Sequence, residues 1–225
     1  SNSLDKYLGQ IKLFPYPKSF HQKEENGENN YFSNRTDLSL EPITNLLVFI
    51  DAPIELHLIS IIWVIRLGYV LDKSLIENCY GNRVYTNRYR PKQLFDKYHR
   101  KYKLWWHNAL LMTQGLIKKR SNATIFKLDI KSFYHSAEVD FKKLREPLKK
   151  NLRDSGNSRI FNLLNSVHDS YHHVIRNYYP NVVTNREGKR AIPIGLLSSF
   201  VIANYYLKDL NVNIDVFISS YYLVE

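Results

Sequence analysis

Residues 126–137, FKLDIKSFYHSA, constrain this chain more than any other segment. An apolar run with the alternation of a β-strand delivers one carboxylate, Asp129, and two aromatic residues follow it, Phe133 and Tyr134. A carboxylate at a strand end can point into a cleft and bind a divalent cation, and the backbone carbonyl of Ile130 can add a second oxygen ligand. The alternative interpretation makes Asp129 a strand-end cap and places both rings in the core.

A second segment, residues 192–207 (IPIGLLSSFVIANYYL), starts with a glycine turn and continues as a helix of small and apolar residues. Pro193 and Gly195 favour a tight turn. Ser198 and Ser199 permit a close backbone approach and can cap the start of a helix. An ordinary capped, apolar helix is the alternative interpretation of this segment.

The balance of charge favours an anionic partner. The 225 residues include 32 Lys and Arg against 21 Asp and Glu, which gives a formal net charge of +11. Such a surplus is typical of proteins that bind nucleic acids, since neutralised phosphates release condensed counterions, although a basic soluble protein without such a partner remains the alternative.

The single cysteine, Cys79, cannot form a disulfide within this chain and fits a reducing compartment. We therefore expect a cytoplasmic protein in which Cys79 is buried.

The most apolar region, residues 46–71, is interrupted by polar and charged residues before it reaches the ~18 uninterrupted apolar residues of a membrane span. We expect a buried helix from Pro53 onward and no membrane partner. The apolar residues that mark the helical spacing are Ile54, Leu58, Ile61, Ile62 and Ile65.

Periodicity and turn residues predict the remaining elements. The pattern indicates a loop over 18–37, a helix after Pro91 whose stripe starts at Leu94 and Phe95, a strand over 124–130, helices over 140–153, 161–175 and 198–210, and strands over 212–224. Asp140 is expected at a helix N-terminus. His168 and His172 stand at i, i+4 and could bind a metal, but a packed helix is the favoured interpretation.

Together, the two segments resemble motifs A and B of reverse transcriptases, in the order and at the spacing typical of that family. The DIKSFY and IPIG forms, with GNR at residues 81–83 and the Tyr/Lys/Trp-rich helix after it, resemble the bacterial branch of abortive-infection and antiphage enzymes. The resemblance covers residues 79–210 approximately. It implies a helix-rich α+β chain, the fingers and partial palm of a right-hand polymerase. The implied regions are an N-terminal and fingers region (1–122), palm with motif A (123–139), a return to the fingers (140–191) and partial palm with motif B (192–225).

The resemblance also implies DNA synthesis by two-metal nucleotidyl transfer, with RNA and/or DNA and dNTPs as partners and Mg²⁺ or Mn²⁺ as cofactor. It makes Asp129 the catalytic metal ligand beside the carbonyl of Ile130, and Tyr134 the ring that excludes a ribose 2′-hydroxyl. The other implied nucleotide-binding residues are Ser132, Phe133, Gly195, Ser199 and Asn204. The expected nucleic-acid contacts are Arg83, Arg100 and Lys101. The sequence leaves a homo-oligomer open.

One position departs from the family pattern, and two other function classes remain open. Ile194 stands where many reverse transcriptases carry Gln between Pro and Gly, which gives slight support to untemplated polymerisation. The first alternative is a non-catalytic nucleic-acid-binding module that keeps the fold. The second is a protein-interaction or assembly domain, which would bind nucleic acid no better than its charge explains.

The third motif of the family is an aromatic-x-Asp-Asp hairpin, which supplies further metal-binding carboxylates. Its usual distance from the motif B glycine reaches the last residues of this chain, and residues 216–225 contain no Asp-Asp pair. We expect the chain to be the N-terminal portion of a longer polymerase, and a degenerate third motif is the alternative.

We predict that the 225-residue chain alone does not incorporate dNTPs, because Asp129 is only one of the acids that a two-metal site needs. Incorporation of labelled dNTP into a primer–template with Mg²⁺ measures this directly. Robust incorporation by the chain alone would contradict the prediction.

Overall fold

The computed structural model describes residues 2–20, 43–77, 79–85, 93–119, 130, 133–180 and 189–208. Within these ranges the chain combines many helices with two nine-residue strands and two two-residue strands, which confirms the expected mixture of helix and sheet. The α-helices are α1 (Asn2–Leu8), α2 (Ile54–Trp63), α3 (Tyr69–Asp72), α4 (Tyr98–Lys118), α5 (Phe133–Ser136), α6 (Phe141–Arg145), α7 (Ser155–Tyr178) and α8 (Leu197–Tyr206). The strands are β1 (Lys12–Phe20), β2 (Ile43–Asp51), β3 (Glu138–Val139) and β4 (Arg190–Ala191). A π-helical turn, Val64–Gly68, joins α2 to α3, and a 3-10 turn, Asn151–Arg153, precedes α7.

Strands β1 and β2 form an antiparallel hairpin in which Pro15 lies opposite Val48. Proline has no backbone N–H to donate to a neighbouring strand. The pairing tolerates it, because the polar groups of Val48 are engaged elsewhere: its N–H donates to His135 Nε2 at 3.2 Å, and its C=O accepts from the Tyr171 hydroxyl at 3.1 Å. Side chains from α5 and α7 therefore occupy the edge of β2 that β1 leaves free.

The same edge of β2 also binds the chain just before α8. The N–H of Ile50 donates to the C=O of Ile194 at 2.8 Å, and Phe49 forms a parallel bridge with Ile194. A second, smaller sheet ends just before this segment. In it, β3 pairs antiparallel with β4, and Val139 lies opposite Arg190. Strand β2 is thus shared between the N-terminal hairpin and the segment that leads into α8.

Two clusters of buried apolar side chains hold these elements together. The first takes residues from α2, α3, α6, α7 and α8, and its largest fully buried side chain is that of Trp63. The second lies between the β1–β2 hairpin and α7 and includes Val48, Leu56 and Tyr171. Both clusters draw on residues before and after position 122, so the regions expected from the sequence share their cores.

The predicted apolar stripe of α2 faces outward, which corrects the expectation of a buried face. Ile54, Leu58, Ile62 and Ile65 are exposed, and Ile61 is half-buried. The buried face carries Leu56, Ser60 and Trp63 instead. The helix is apolar nearly all round, so spacing alone could not choose between faces. Ser60 decides the matter, because its small side chain lets α8 approach closely enough for a hydrogen bond to Ser198.

One stretch among the described residues, Ile54–Asp72, is long and apolar enough to cross a membrane, with 19 residues and a mean hydropathy of 1.8. Length and composition alone support this, and the core helix of a globular domain meets the same criterion. Here 39% of the stretch is buried within the chain.

Several other boundaries differ from those predicted. The helix expected after Pro91 begins at Tyr98, and Phe95 instead forms a bridge with Val84. The helix expected over 140–153 does begin behind Asp140, whose carboxylate accepts from two backbone N–H groups. It stops at Arg145, because Pro147 cannot continue it. Residues 18–20 belong to β1, which corrects the start of the loop predicted over 18–37. The rest of that loop, and residues 124–129 and 212–224 of the predicted strands, lie outside the described residues.

A buried ion pair fixes the loop that follows α3. Arg83 Nε donates to Asp72 Oδ1 at 3.0 Å, and the same oxygen accepts from the N–H of Val84 at 3.1 Å. The guanidinium also donates to the carbonyl oxygens of Ile76 and Cys79. Asp72 is almost wholly buried, and the loop supplies the hydrogen-bond donors that its carboxylate needs. Cys79 is buried beside it, as expected.

We predict that Asp72→Ala lowers the free energy of unfolding by about 2–4 kcal/mol, because it leaves the Arg83 guanidinium without its buried counter-charge. Urea unfolding followed by circular dichroism measures the change. The control is Glu146→Ala, which removes an exposed carboxylate paired with Lys149 and should cost less than about 0.5 kcal/mol. Equal losses in the two variants would contradict a structural role for the buried pair.

Candidate functional site

The fold brings the two segments singled out in the sequence against each other. The N–H of Ile192 donates to the C=O of Tyr134 at 3.2 Å, and β3 pairs with β4 immediately beyond. The ring of Phe133 also meets the ring of Tyr206 near the end of α8, with centroids 6.1 Å apart. Although 58 residues separate Tyr134 from Ile192 along the chain, their backbones are in contact. The candidate site is therefore the region where α5, β4 and the turn before α8 meet.

The structure describes only part of the first segment. Asp129 and Ser132 lie outside the described residues. Ile130 is 44% exposed, and Phe133 is half-buried at the start of α5. Tyr134 belongs to the first core cluster and is 8% exposed, with its ring edge-on to Phe133 at a centroid distance of 5.5 Å. Of the expected residues that the structure describes here, Ile130 is exposed and Phe133 is half-exposed, whereas Tyr134 is buried.

The turn before α8 has the geometry that its glycine was expected to provide. Gly195 has φ of +111°, a backbone conformation that residues with a side chain rarely adopt. A Cβ at this position would also lie 3.4 Å from Ile50 Cγ2 and 3.5 Å from the carbonyl oxygen of Ile50. The turn therefore needs glycine for its φ angle, and it sits directly on β2.

Ser198 and Ser199 do not cap α8, which corrects the sequence-based expectation. The N-cap position is Leu196, without a side-chain hydrogen bond. The Ser199 hydroxyl instead donates back to the Pro193 carbonyl at 2.5 Å and so closes the turn. The N–H of Ser198 donates to Ser60 Oγ at 2.8 Å, so α2 supplies the oxygen that an N-cap residue would otherwise provide.

Asn204 is buried and links α8 to the loop that contains Arg83. Its side-chain amide donates to the Gly81 carbonyl at 2.8 Å and to the Asn82 carbonyl at 3.4 Å. Asn82 itself has φ of 45°, a conformation that asparagine tolerates better than most residues. In this structure Asn204 holds the backbone of a tight loop.

The three expected nucleic-acid contacts differ in how free their charges are. The guanidinium of Arg83 is committed to Asp72 and to backbone carbonyls, so it acts as a scaffold. Lys101 forms an ion pair with Asp96 at 2.8 Å and is half-buried. Arg100 lies exposed in the first turn of α4. Among these three residues, Arg100 is the one whose side chain is most open to a phosphate.

Sequence reasoning missed His135, which follows Tyr134 and is buried. Its Nε2 accepts the Val48 N–H, so this nitrogen must be unprotonated and the ring neutral. Burial lowers the pKa of His135 to about 4. Burial also raises the pKa of Tyr171, the hydroxyl that donates to the other polar group of Val48. A histidine next to an aromatic pair was the available signal, but its partner is a backbone group 87 residues away.

The histidines of α7 have separate structural contacts. His168 packs against Phe141 in the core, and burial lowers its pKa to about 3. His172 Nδ1 accepts the N–H of Ala191 at 3.2 Å, while Asp169 forms an ion pair with Arg190. Among the described residues, no three His, Cys, Asp or Glu side chains converge as a metal site would require. Of the two ligands expected for Mg²⁺, Asp129 and Ile130, only Ile130 is among the described residues.

Comparison with protein-family models, with curated proteins and with solved structures gives no match for this chain.

We predict that the folded chain loses stability as the pH falls below 6.5. Each buried histidine has a pKa of 6.5 when unfolded, and burial lowers it to about 4 for His135 and about 3 for His168. The unfolded state therefore binds more protons between these values. The stabilisation is complete above pH 6.5 and declines toward pH 4 by about 1.4 kcal/mol per pH unit for each histidine.

Urea midpoints at pH 7.5 and pH 5.0 measure this dependence. His135→Gln should show a smaller acid loss, since glutamine cannot be protonated yet can still accept the Val48 N–H. The matched control is His173→Gln, at an exposed position of the same helix as His168, which should retain the dependence of the parent chain. An unchanged dependence in His135→Gln would show that His135 does not contribute.

Proposed function

We propose that this chain is the N-terminal part of a reverse-transcriptase-like DNA polymerase, which acts on RNA and/or DNA with dNTPs, in antiphage defence. The observation that carries the proposal is the contact between the two motif segments, made by the Ile192–Tyr134 backbone hydrogen bond. Segments that form one nucleotide site must adjoin in space, whereas two chance sequence matches need not.

The packing of the described residues supports the proposed roles of the aromatic pair. A steric gate must not yield when a ribose 2′-hydroxyl presses on it. Tyr134 is held by core packing and by the hydrogen bond from Ile192 to its carbonyl, and Phe133 packs edge-on against it. The proposal therefore places Tyr134 as the fixed wall of the sugar pocket, with Phe133 at the surface of the same pocket.

The Gly195 turn supports the other half of the pocket. With φ of +111° and no side chain, Gly195 leaves its backbone open to a ligand while it rests on Ile50. Ser199 closes the turn through the Pro193 carbonyl. These residues shape the floor of the pocket, and Asn204 supports it indirectly through the loop at Gly81.

Catalysis depends on Asp129 in this proposal. Divalent metal ions bound there would activate the attacking 3′-hydroxyl and stabilise the leaving pyrophosphate. The residues of this chain supply the carboxylate of Asp129 and the carbonyl of Ile130, position the sugar, and attract the nucleic acid through a net charge of +11.

We predict that Asp129→Ala, in the protein made from the complete gene, reduces Mg²⁺-dependent dNTP incorporation by at least about 100-fold, because a metal ligand is lost. Nucleic-acid affinity should change little. Glu146→Ala is the control, since it also removes one carboxylate but from an exposed surface position, and it should retain full incorporation.

The possible results separate the functions in question. Loss of incorporation in Asp129→Ala alone supports the polymerase. Salt-sensitive binding without any incorporation by the unaltered protein rejects it in favour of a binding module. Incorporation that persists when the template is omitted identifies untemplated synthesis, and the position of Ile194 then becomes the next one to vary.

A further inference from the structure

His135 is a buried polar residue that the proposed mechanism does not use, although it directly follows Tyr134. Its side chain is 2% exposed. Its Nε2 accepts the N–H of Val48 at 3.2 Å, and a buried backbone N–H needs such a partner. The bond therefore joins the residue beside the proposed sugar gate to strand β2.

The turn before α8 is joined to the same strand and to the same helix. The C=O of Ile194 accepts the N–H of Ile50 at 2.8 Å, and the N–H of Ile192 donates to the C=O of Tyr134 at 3.2 Å. Because Val48 and Ile50 are two residues apart in β2, their N–H groups lie along one edge, about 7 Å from each other. Strand β2 thus makes one hydrogen bond to each motif segment.

These three hydrogen bonds close a ring. The stretches of chain between them are short: residues 134–135 in α5, 48–50 in β2 and 192–194 before α8. In a closed ring the other two stretches restrain the position of each one, whereas an open series of contacts leaves one end free to shift. The ring therefore fixes the position of Tyr134 relative to the turn at Gly195.

His135 supplies the side-chain link of this ring. The other two bonds join backbone groups, which nearly every residue type provides. The bond to Val48 needs a side-chain acceptor of the right length, so it depends on the identity of residue 135. The Tyr171 hydroxyl also bonds to Val48, but it donates to the C=O at 3.1 Å and belongs to neither motif segment. Tyr171 therefore lies outside the ring.

We propose that His135 is a positioning residue that sets the preference for dNTPs over rNTPs. The inference rests on the proposed function, in which Tyr134 is the wall that excludes a ribose 2′-hydroxyl. Such a wall discriminates only if it keeps its place, because a shift by the size of one atom is enough to alter the fit of a substrate. The bond between His135 and Val48 prevents Tyr134 from moving away from the Gly195 turn.

The test compares two amide side chains at position 135 in the protein made from the complete gene. His135→Gln ends near the place of Nε2 and can accept the Val48 N–H, whereas the shorter His135→Asn cannot reach it. The preference is measured as the ratio of kcat/KM for a dNTP to that for the matching rNTP. His135→Asn should lower this ratio by about tenfold, and His135→Gln should retain it.

Tyr171→Phe is the matched control, since it removes a hydrogen bond from the same Val48 while its ring stays in the core. It should lose stability without a change in the ratio. An unchanged ratio in His135→Asn, or an equal fall in Tyr171→Phe, would overturn the positioning role. Urea midpoints confirm that each variant is folded. If His135→Asn does not fold, His135→Gln still decides, because a lowered ratio in a variant that carries the acceptor contradicts the proposal.

Amide hydrogen exchange of the 225-residue chain, followed by NMR, tests the ring without catalysis. Opening of the ring should accelerate exchange of the Ile192 N–H by about tenfold in His135→Asn and leave it unaltered in Tyr171→Phe. The same exchange rate in His135→Asn as in the parent chain would show that the ring does not depend on His135, and would reject the proposal.

The outcome for His135 can be separated from that for the polymerase. A protein that incorporates no nucleotide rejects the enzyme and, with it, the sugar gate. Incorporation that is abolished by Asp129→Ala, with the ratio of the parent protein in His135→Asn, keeps the enzyme and rejects the role of His135.

Discussion

The backbone of Val48 is the point on which the described structure depends. Val48 is buried, and its N–H and C=O lie at the edge of β2 away from β1, so they need partners from elsewhere. A buried polar group without a hydrogen bond costs several kcal/mol at most and about 1–3 kcal/mol in typical proteins. His135 and Tyr171 supply the two partners from distant parts of the chain. If α5 or α7 moved away, Val48 would lose a hydrogen-bond partner and the folded state would be destabilised by this amount.

The same strand positions both halves of the candidate site. His135 immediately follows the aromatic pair of the first segment, so its bond to Val48 fixes where Tyr134 stands. Two residues along β2, Ile50 holds the Ile194 carbonyl at the turn of the second segment. A strand that belongs to neither segment therefore sets the distance between them. This explains how the two segments come into contact although helix α7 intervenes in the sequence.

The sequence predicted the features that depend on local chemistry. The turn at Gly195 and the helix start behind Asp140 follow from the backbone freedom of glycine and from the hydrogen-bonding capacity of a short carboxylate. The long periodic stretch of α7 was also predicted as helix, although the observed helix is longer at both ends. In each case the determining residues lie within a few positions of the feature.

Features that depend on distant partners could not be predicted. The buried face of α2 is decided by Ser60 meeting Ser198, which lies 138 residues later. Arg83 was predicted to contact phosphates. Nothing in its local sequence reveals that it forms an ion pair with the buried carboxylate of Asp72. Ser199 failed for a different reason, since its partner is local: its hydroxyl donates to the Pro193 carbonyl within the same turn and not to the start of the helix. The expected roles of Asp129 and Ser132 lie outside the described residues and stay predictions.

The π-helical turn at Val64–Gly68 gives an unusual freedom to the gene that encodes this protein. A π turn holds one residue more than an α-helical turn needs. Deleting one codon there would leave a continuous, regular α-helix without a break. Because the π turn absorbs its extra residue, the helix beyond such a deletion would keep nearly the same face, and the buried carboxylate of Asp72 would still be directed at Arg83. A deletion within a regular α-helix would instead rotate every later residue by about 100° around the axis. The π turn is therefore the place where this helix can lose one residue without a change of face.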